Sequence, residues 1–360
     1  MSHRWQQART LLCVRLDSLG DVLMCTPALR ALKQARPHRK LTLLTSPGGA
    51  AAAPHIPELD AVIAHAAPWM KASTVNGSGA DRDCIARLER EAFDGAVILT
   101  SYTQSALPAA LMCYLAGIPL RLGHCRENPY QLLTDWAGEP DSAPSPRHEV
   151  QRQLDLVARV GARAGDTGLS FRVFDADLAS VIKKLRELGI DPDKRFVVLH
   201  PGASAPSRRY PAHHWSALVR LLADRLDCPL VLTGSAGEAS LVEEIRSSSG
   251  VPISSLAGRL KLGELGAALK LAALLVSNNT GPVHVAAAVG TPLVDLYALT
   301  NPQHTPWQVP HRVLYHDVPC RNCLKSVCPQ GHHDCMEKLA PALVADTVWE
   351  LLGQPAARYG

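Results

Sequence analysis

Short apolar runs alternate with longer stretches of helical periodicity along nearly the whole chain. LLCVRL (11–16), LTLLTS (41–46), AVIAH (61–65) and AVILT (96–100) read as strands. Between the first two, Leu23, Ala28, Leu29 and Leu32 recur near helical spacing and predict a helix over 22–35. SALPAALMCYLAG (105–117) reads as a buried helix stopped by Gly117 and Pro119, and 147–162 as a long amphipathic helix. The second half repeats the rhythm. Strands are expected at 196–203, 229–234, 273–278 and 292–298, and helices at 212–226, from Ala239, at 262–272 and at 342–353. Wholly apolar strands alternating with helices imply parallel sheets covered on both faces. The class is therefore α/β, with two Rossmann-like parallel-sheet domains over 1–175 and 190–340 and the boundary within 163–195. A terminal segment, 341–360, follows.

Composition narrows the partners. The 360 residues carry a net charge of +4, with 47% hydrophobic and only 5% aromatic residues. That balance suits a globular chain and phosphorylated ligands; it lacks the basic clusters interleaved with aromatics that nucleic-acid binding would call for. No apolar run approaches the ~18 residues of a membrane-spanning helix. The N-terminus has no long apolar segment followed by a small-residue cleavage site. We expect a cytoplasmic chain, in contact at most with the inner face of a membrane.

In open parallel sheets ligands bind beyond the carboxyl ends of the strands, and three such turns carry chemistry. The first, RLDSLGDVLMCTPAL (15–29), has one glycine where a dinucleotide fingerprint needs three. Gly20 permits a tight turn and sets Asp21 at the mouth of the next helix, as an N-cap or as a general base. In the second, HPGASAPSRRYP (200–211), small residues allow close backbone approach, and Arg208 and Arg209 suit phosphate oxygens or are an ordinary surface pair. In the third, SNNTGPVHVAAAVG (277–290), Pro282 fits a first helical position and makes Gly281 the expected N-cap. The N–H groups of Val283 and His284, with the Thr280 hydroxyl, would then face an anion; His284 taken alone reads first as a core histidine.

Taken together, in this order and separation, the three turns resemble glycosyltransferase family 9, the ADP-heptose:lipopolysaccharide heptosyltransferases, over about 11–300. The resemblance implies a GT-B fold, with two Rossmann-like domains facing a central cleft, the donor held by the second, and the final helix crossing back to the first. It implies an inverting, metal-independent sugar transfer from a nucleotide-diphosphate donor to a lipopolysaccharide or other glycan hydroxyl. Asp21 falls at the family's catalytic base. Arg208, Thr280, Gly281 and His284 fall on the donor phosphates, Glu238 on the ribose hydroxyls, and Leu260 where backbone meets the nucleobase. Asn279 stands where many heptosyltransferases have Asp, and Arg208 where Lys is typical. The alternatives are a GT-B nucleotide-sugar epimerase and a non-catalytic binding protein. Arg121, Arg126 and Arg147 are candidates for meeting a phosphorylated acceptor.

Outside those motifs, Cys320, Cys323, Cys328 and Cys335 crowd into VPCRNCLKSVCPQGHHDCM (318–336), beside His332 and His333. The spacing suits a structural zinc site of Cys₄ or Cys₃His type, a disulfide pair, unligated thiols or an iron–sulfur cluster. No catalytic cofactor is expected. This segment lies outside the familiar heptosyltransferase pattern.

Overall fold

The computed structural model describes residues 3–71, 77–139 and 147–353. The chain forms two compact units that divide between Ser170 and Phe171. In the first unit, strands β1 (Thr10–Arg15), β2 (Lys40–Thr45), β3 (Ala61–Ala64), β4 (Gly95–Ile98), β5 (Leu120–Cys125) and β6 (Asp135–Gly138) pair in the order β3-β2-β1-β4-β5-β6. Its helices are α1 (His3–Gln7), α2 (Leu19–Met24), α3 (Thr26–Gln34), α4 (Pro47–Ala50), α5 (Gly77–Glu91), α6 (Leu107–Leu115) and α7 (Glu149–Ala158).

The second unit repeats this topology. Strands β7 (Val197–His200), β8 (Leu230–Leu232), β9 (Ser254–Ser255), β10 (Leu274–Asn278), β11 (Leu293–Leu296) and β12 (His311–Leu314) pair in the order β12-β11-β10-β7-β8-β9. Its helices are α8 (Asp175–Glu187), α9 (Ala212–Arg225), α10 (Ala239–Ser249), α11 (Leu262–Leu271), α12 (Gly281–Val289), α13 (Asp334–Glu337) and α14 (Pro341–Gly353). Short 3₁₀ turns occupy Pro206–Arg208 and Ala236–Glu238.

Both sheets are parallel throughout. Strands β4, β7, β8, β10 and β11 are buried along their whole length, as two covered faces require. In each sheet the strand order reverses beside the first strand, between β1 and β4 and again between β7 and β10. Loops leaving such a pair part to opposite sides of the sheet and open a crevice at its carboxyl edge.

The apolar strands fall where the hydrophobic pattern puts them. The helix expected over 22–35 is two helices instead, α2 and α3, joined at Cys25. Pro27, in the first turn of α3, has no N–H to give to a continuous helix. Strands β5 and β6 escape the pattern because Arg121, His124 and Asp135 interrupt their apolar character. Helix α8 fills most of the expected linker and packs on α11, so the second unit begins at Phe171 rather than near 190. Helix α14 packs on α9 and buries Val344, Ala345, Val348 and Leu351 in the core of the second unit. These residues belong to the second unit's core; residues 354–360 of the expected crossing segment lie outside the described residues.

Helix α14 is thus integral to the second unit's stability. Val348→Ala should cost about 2 kcal/mol, the transfer of two buried methyl groups plus the cavity they leave. Trp349→Ala, on the exposed face, should stay within ~0.5 kcal/mol. Urea denaturation of the two variants measures the difference.

Candidate functional site

In the first unit the crevice between β1 and β4 is organised around Arg15, the last residue of β1. Its side chain is fully buried and pairs with three carboxylates. Nε lies 2.8 Å from Asp17, Nη2 3.1 Å from Asp21 and Nη1 2.6 Å from Glu149 of α7. Nη1 also donates to the Leu99 carbonyl, just beyond β4, at 3.2 Å. Gln104, in the turn after β4, donates from Nε2 to Asp17 at 2.6 Å.

Asp21 does not cap its helix. Ser18 is the N-cap residue, and Asp21 sits in the first turn of α2 with one carboxylate oxygen on Arg15 and the other accepting from the Ser18 hydroxyl at 2.8 Å. Gly20 is a buried residue inside that turn, not the tight bend expected before it. Asp21 keeps 18% of its side chain exposed, enough to meet a ligand. Asp17, beside it, is pushed up to about 6, chiefly by burial and further by the charges of Asp21 and Glu149, against the pull of Arg15 and Gln104. Two neighbouring carboxylates in different environments are the arrangement that separates acid from base roles.

The sequence reading found Asp21 but missed Arg15, Asp17, Gln104 and Glu149. The signal available was a charged residue closing an otherwise apolar strand. Arg121 is not a surface cation. It is buried and donates to the carbonyls of Leu132, Gln131 and Ile118, fixing its own loop. Arg126 bonds the Tyr102 carbonyl and stacks on that ring at 4.5 Å, and Arg147 pairs with Asp155.

In the second unit the matching crevice lies between β7 and β10. The residues after β7, β8, β10 and β11 are linked there by polar contacts. Asn278, buried at the end of β10, donates to the Pro201 carbonyl at 2.7 Å and accepts from the Tyr210 N–H at 3.1 Å, tying the 201–210 loop down at both ends. Asn279 donates from Nδ2 to Asp295 of β11 at 2.8 Å and to the His304 carbonyl at 3.0 Å. A carboxylate is therefore present beside position 279, supplied by the neighbouring strand. Burial pushes Asp295 up to about 8, against the Asn279 bond and the positive charge of Arg208. Arg208 closes the 3₁₀ turn and is half-buried, while Arg209 bonds the Ala203 carbonyl at 2.9 Å.

Glu238 anchors the other side. Its Oε2 accepts from the Ser235 N–H at 2.7 Å and the Ser235 hydroxyl at 2.8 Å, and lies 4.0 Å from His200 Nε2. Burial lowers His200 to about 4 and keeps it neutral, with Nδ1 3.0 Å from the Thr233 hydroxyl. A Cβ on Gly202 would collide with the Glu238 carboxylate, so the glycine of HPGA is what lets this side chain lie against the β7 loop. Leu260 is half-buried in the loop before α11.

Thr280, rather than Gly281, is the N-cap of α12, in extended conformation and with no side-chain capping bond. Gly281 and Pro282 form the first helical positions. The Val283 N–H donates back to the Thr280 carbonyl at 3.0 Å, so it does not face outward as expected. His284 is buried in the first turn.

The four clustered cysteines form no disulfide and are half-buried. The Cys335 thiol is pushed up by burial and by the negative fields of Cys328, Cys320 and Cys323, against a backbone hydrogen bond from Leu299. The described residues also bring His213, His214 and Glu337 together, with one ligand atom from each within 4.8 Å of the others. That group was not visible in the sequence, because Glu337 is remote from the histidine pair.

A model of glycosyltransferase family 9 (heptosyltransferase) matches residues 82–333. The matched range runs into the cysteine segment as far as His333, while Asp21 lies before it. A lipooligosaccharide heptosyltransferase 2 of Haemophilus influenzae is 30% identical over 228 residues, 60% of this chain and 64% of that protein. The crystal structure of a family 9 glycosyl transferase from Veillonella parvula superposes with a TM-score of 0.80 at 20% identity, over 96% of this chain and 97% of the other. The E. coli ADP-heptose lps heptosyltransferase II gives 0.73 at 23% identity, over 95% and 98%. These likenesses establish the GT-B fold class. Among the described residues no helix is long and apolar enough to cross a membrane.

Two measurements check the electrostatics. Asp21→Asn removes a like charge beside Asp17, so the Asp17 carboxyl should titrate below about 6 in the variant, read by carboxyl-carbon NMR. Asn279→Asp sets a second carboxyl against buried Asp295. Both folded-state affinities for protons then lie above the unfolded value, so stability is lost as pH rises through them. Melting temperature should fall more steeply between about pH 4 and 8 than in the parent chain.

Proposed function

The chain belongs to glycosyltransferase family 9, and from that premise we propose that it transfers a sugar, with ADP-heptose as donor, to a hydroxyl of a lipopolysaccharide-core or related glycan acceptor, with inversion at the anomeric carbon. The observation that carries this reading is the linked set of loop residues at the β7–β10 crevice. It sets one cation, one buried acid and one helix start around the carboxyl edge of a single sheet.

In this reading the second unit holds the nucleotide. Glu238, fixed by Ser235 and seated on Gly202, accepts from the ribose hydroxyls, and the backbone near Leu260 borders the base. As the bond from sugar to β-phosphate breaks, negative charge grows on the departing diphosphate. Arg208, with Thr280 and the α12 start at Gly281 and His284, is the group set that meets this charge. Arg208 is held in a preformed 3₁₀ turn, so little reorganisation is needed when the charge appears.

The first unit supplies the base. An Asp21 oxygen takes the acceptor hydroxyl proton as that oxygen attacks the anomeric carbon. The Arg15 pairing fixes the orientation of the carboxylate, and Ser18 holds its second oxygen. Asp17 is a neighbour whose ionisation near pH 6 changes the charge around Asp21, so activity should fall on the acid side as Asp17 takes up its proton.

The test separates the two roles. Asp21→Asn should cut turnover at least ~100-fold with ADP affinity retained, the scale of a lost general base. Arg208→Ala should weaken ADP binding. Calorimetry with ADP, together with turnover of ADP-heptose on a lipopolysaccharide-core acceptor, reads both. Turnover unchanged in Asp21→Asn removes that residue from the mechanism. A thermal shift favouring UDP or GDP over ADP would move the donor assignment, and conversion of the sugar nucleotide without acceptor would replace transfer by epimerisation.

A further inference from the structure

A seam of polar contacts runs from the turn bearing Arg208 along the start of α9. The Ser207 N–H donates to the Ser326 carbonyl at 3.0 Å, and the Ser207 hydroxyl to the Lys325 carbonyl at 2.8 Å. His333 Nε2 lies 2.8 Å from the Ser207 carbonyl and, with that partner, can only donate. Farther along, the Tyr210 hydroxyl donates to the Leu339 carbonyl at 2.7 Å. The seam continues where His213 and His214 of α9 meet Glu337 of α13.

The backbone on each side of that meeting point is fixed. Trp215, which follows His214, is fully buried, and so is Met336, which precedes Glu337. Helix α13 is a single turn, closed by the Met336 and Glu337 N–H groups on the His333 carbonyl at 2.9 and 3.0 Å. The Tyr210 ring stacks on His214 with centroids 5.2 Å apart and 26° between the planes, which holds that imidazole against an aromatic face. The side chains that meet across the seam are open to solvent. His213 and Glu337 are exposed and His214 is half-buried, so an ion has a way in.

Consecutive residues of a helix point about 100° apart. The rings of His213 and His214 nevertheless converge, with centroids 4.3 Å apart and 37° between the planes. One ring nitrogen of each and one carboxylate oxygen of Glu337 lie within 4.8 Å of one another. The ligands of a tetrahedral zinc, each about 2.1 Å from the ion, stand roughly 3.4 Å apart. Rotation of the exposed His213 and Glu337 side chains closes that difference. The His214 ring also donates a hydrogen bond to the Glu337 backbone. An imidazole that gives one N–H to a carbonyl presents its other nitrogen as a lone pair, which is how metal-binding histidines are commonly oriented. Burial and the charge of His213 hold His214 below the usual histidine range, against Glu337, so its ring is neutral, as a ligand has to be.

The geometry points to a surface site for one divalent ion of the zinc class, bound by an imidazole nitrogen each from His213 and His214 and a carboxylate oxygen of Glu337, that fastens α13 to the first turn of α9. Two nitrogens and one oxygen suit zinc and its neighbours, whereas magnesium and calcium take oxygen shells. A tetrahedral ion with three protein ligands keeps its fourth position for water. The ion would join the end of the cysteine segment to the helix that follows the Arg208 turn. The site stands independently of the donor assignment; only the significance of holding the Arg208 turn rests on the function proposed above.

The experiment uses the full chain without a histidine tag, stripped with chelator under reducing conditions and titrated with zinc alone by calorimetry and equilibrium dialysis. Thiols elsewhere in the chain compete for zinc, so variants assign the ions. His213→Ala/His214→Ala should bind one zinc fewer per chain than the parent, and Cys320→Ser/Cys323→Ser should keep that ion. Glu337→Gln should weaken the same binding event by at least the ~10-fold that loss of an outer-shell partner costs. In the Cys320→Ser/Cys323→Ser chain, zinc should raise the melting temperature and slow hydrogen exchange across 212–215 and 334–338.

Equal zinc stoichiometry in the parent and the histidine double variant overturns the site. Unchanged zinc affinity in Glu337→Gln overturns the three-ligand set. A melting temperature that responds to Glu337→Gln but not to zinc assigns these groups to an ordinary ion pair and overturns the site as well. None of these readouts uses ADP or turnover, so a failure of the donor assignment is seen separately.

Discussion

A guanidinium taken wholly out of water has to be neutralised where it lies, and Arg15 sets that requirement at the centre of the first unit. Removing one partner of such a pair leaves an uncompensated charge and commonly costs about 3–5 kcal/mol. The requirement is met by three carboxylates from three places: Asp17 from the turn after β1, Asp21 from α2 and Glu149 from α7. Each is drawn to a fixed position by the same cation. The reactive candidate, Asp21, is thereby oriented by a group that contributes to holding the unit together, and α7 is locked over the sheet edge by the same interaction. The surrounding polar network extends this, with Gln153 donating to Glu149 and Arg152 pairing with Glu139 beside a neutral, buried His124.

The second unit solves the same geometric problem with amides instead of a cation. Asn278 and Asn279 close β10 and reach across to the β7 loop and to β11. Neutral side chains suffice here because the groups being satisfied are mostly backbone carbonyls and N–H groups. The one buried acid, Asp295, is pushed toward its protonated form, in which it is cheapest to bury. The cation of this crevice, Arg208, sits on a turn held by the cysteine segment.

Both units place their polar residues where the strand order reverses, and the reasons are topological. A parallel sheet directs its carboxyl-edge loops away from one another at that point, and the crevice receives side chains from four loops at once. Solved structures at 20 and 23% identity keep this scaffold, because the apolar strands tolerate exchange of one aliphatic side chain for another provided volume and pattern are retained.

Much of this was legible in the chain. Mostly apolar strands alternating with helices gave away the two parallel sheets, since burial on both faces favours apolar residues along most of a strand. The three loop motifs carried the resemblance to the family, and the resemblance implied Asp21, Arg208, Glu238 and the start of α12 as site residues. The sequence did not reveal β5 or α8, whose patterns are interrupted or lie in an expected linker, nor the places of Gly20, Thr280 and Gly281 within their turns, which depend on a residue or two of helix register. It could not reveal Arg15 with Glu149, Asn279 with Asp295, or Ser207 with the cysteine loop, partners separated by 134, 16 and 118 or more positions. Local sequence determines periodicity and the chemistry a loop can offer. Which charges become buried, and which groups must then answer them, is decided only when distant strands and helices are packed together, because desolvation is a property of the assembled neighbourhood and not of the residue.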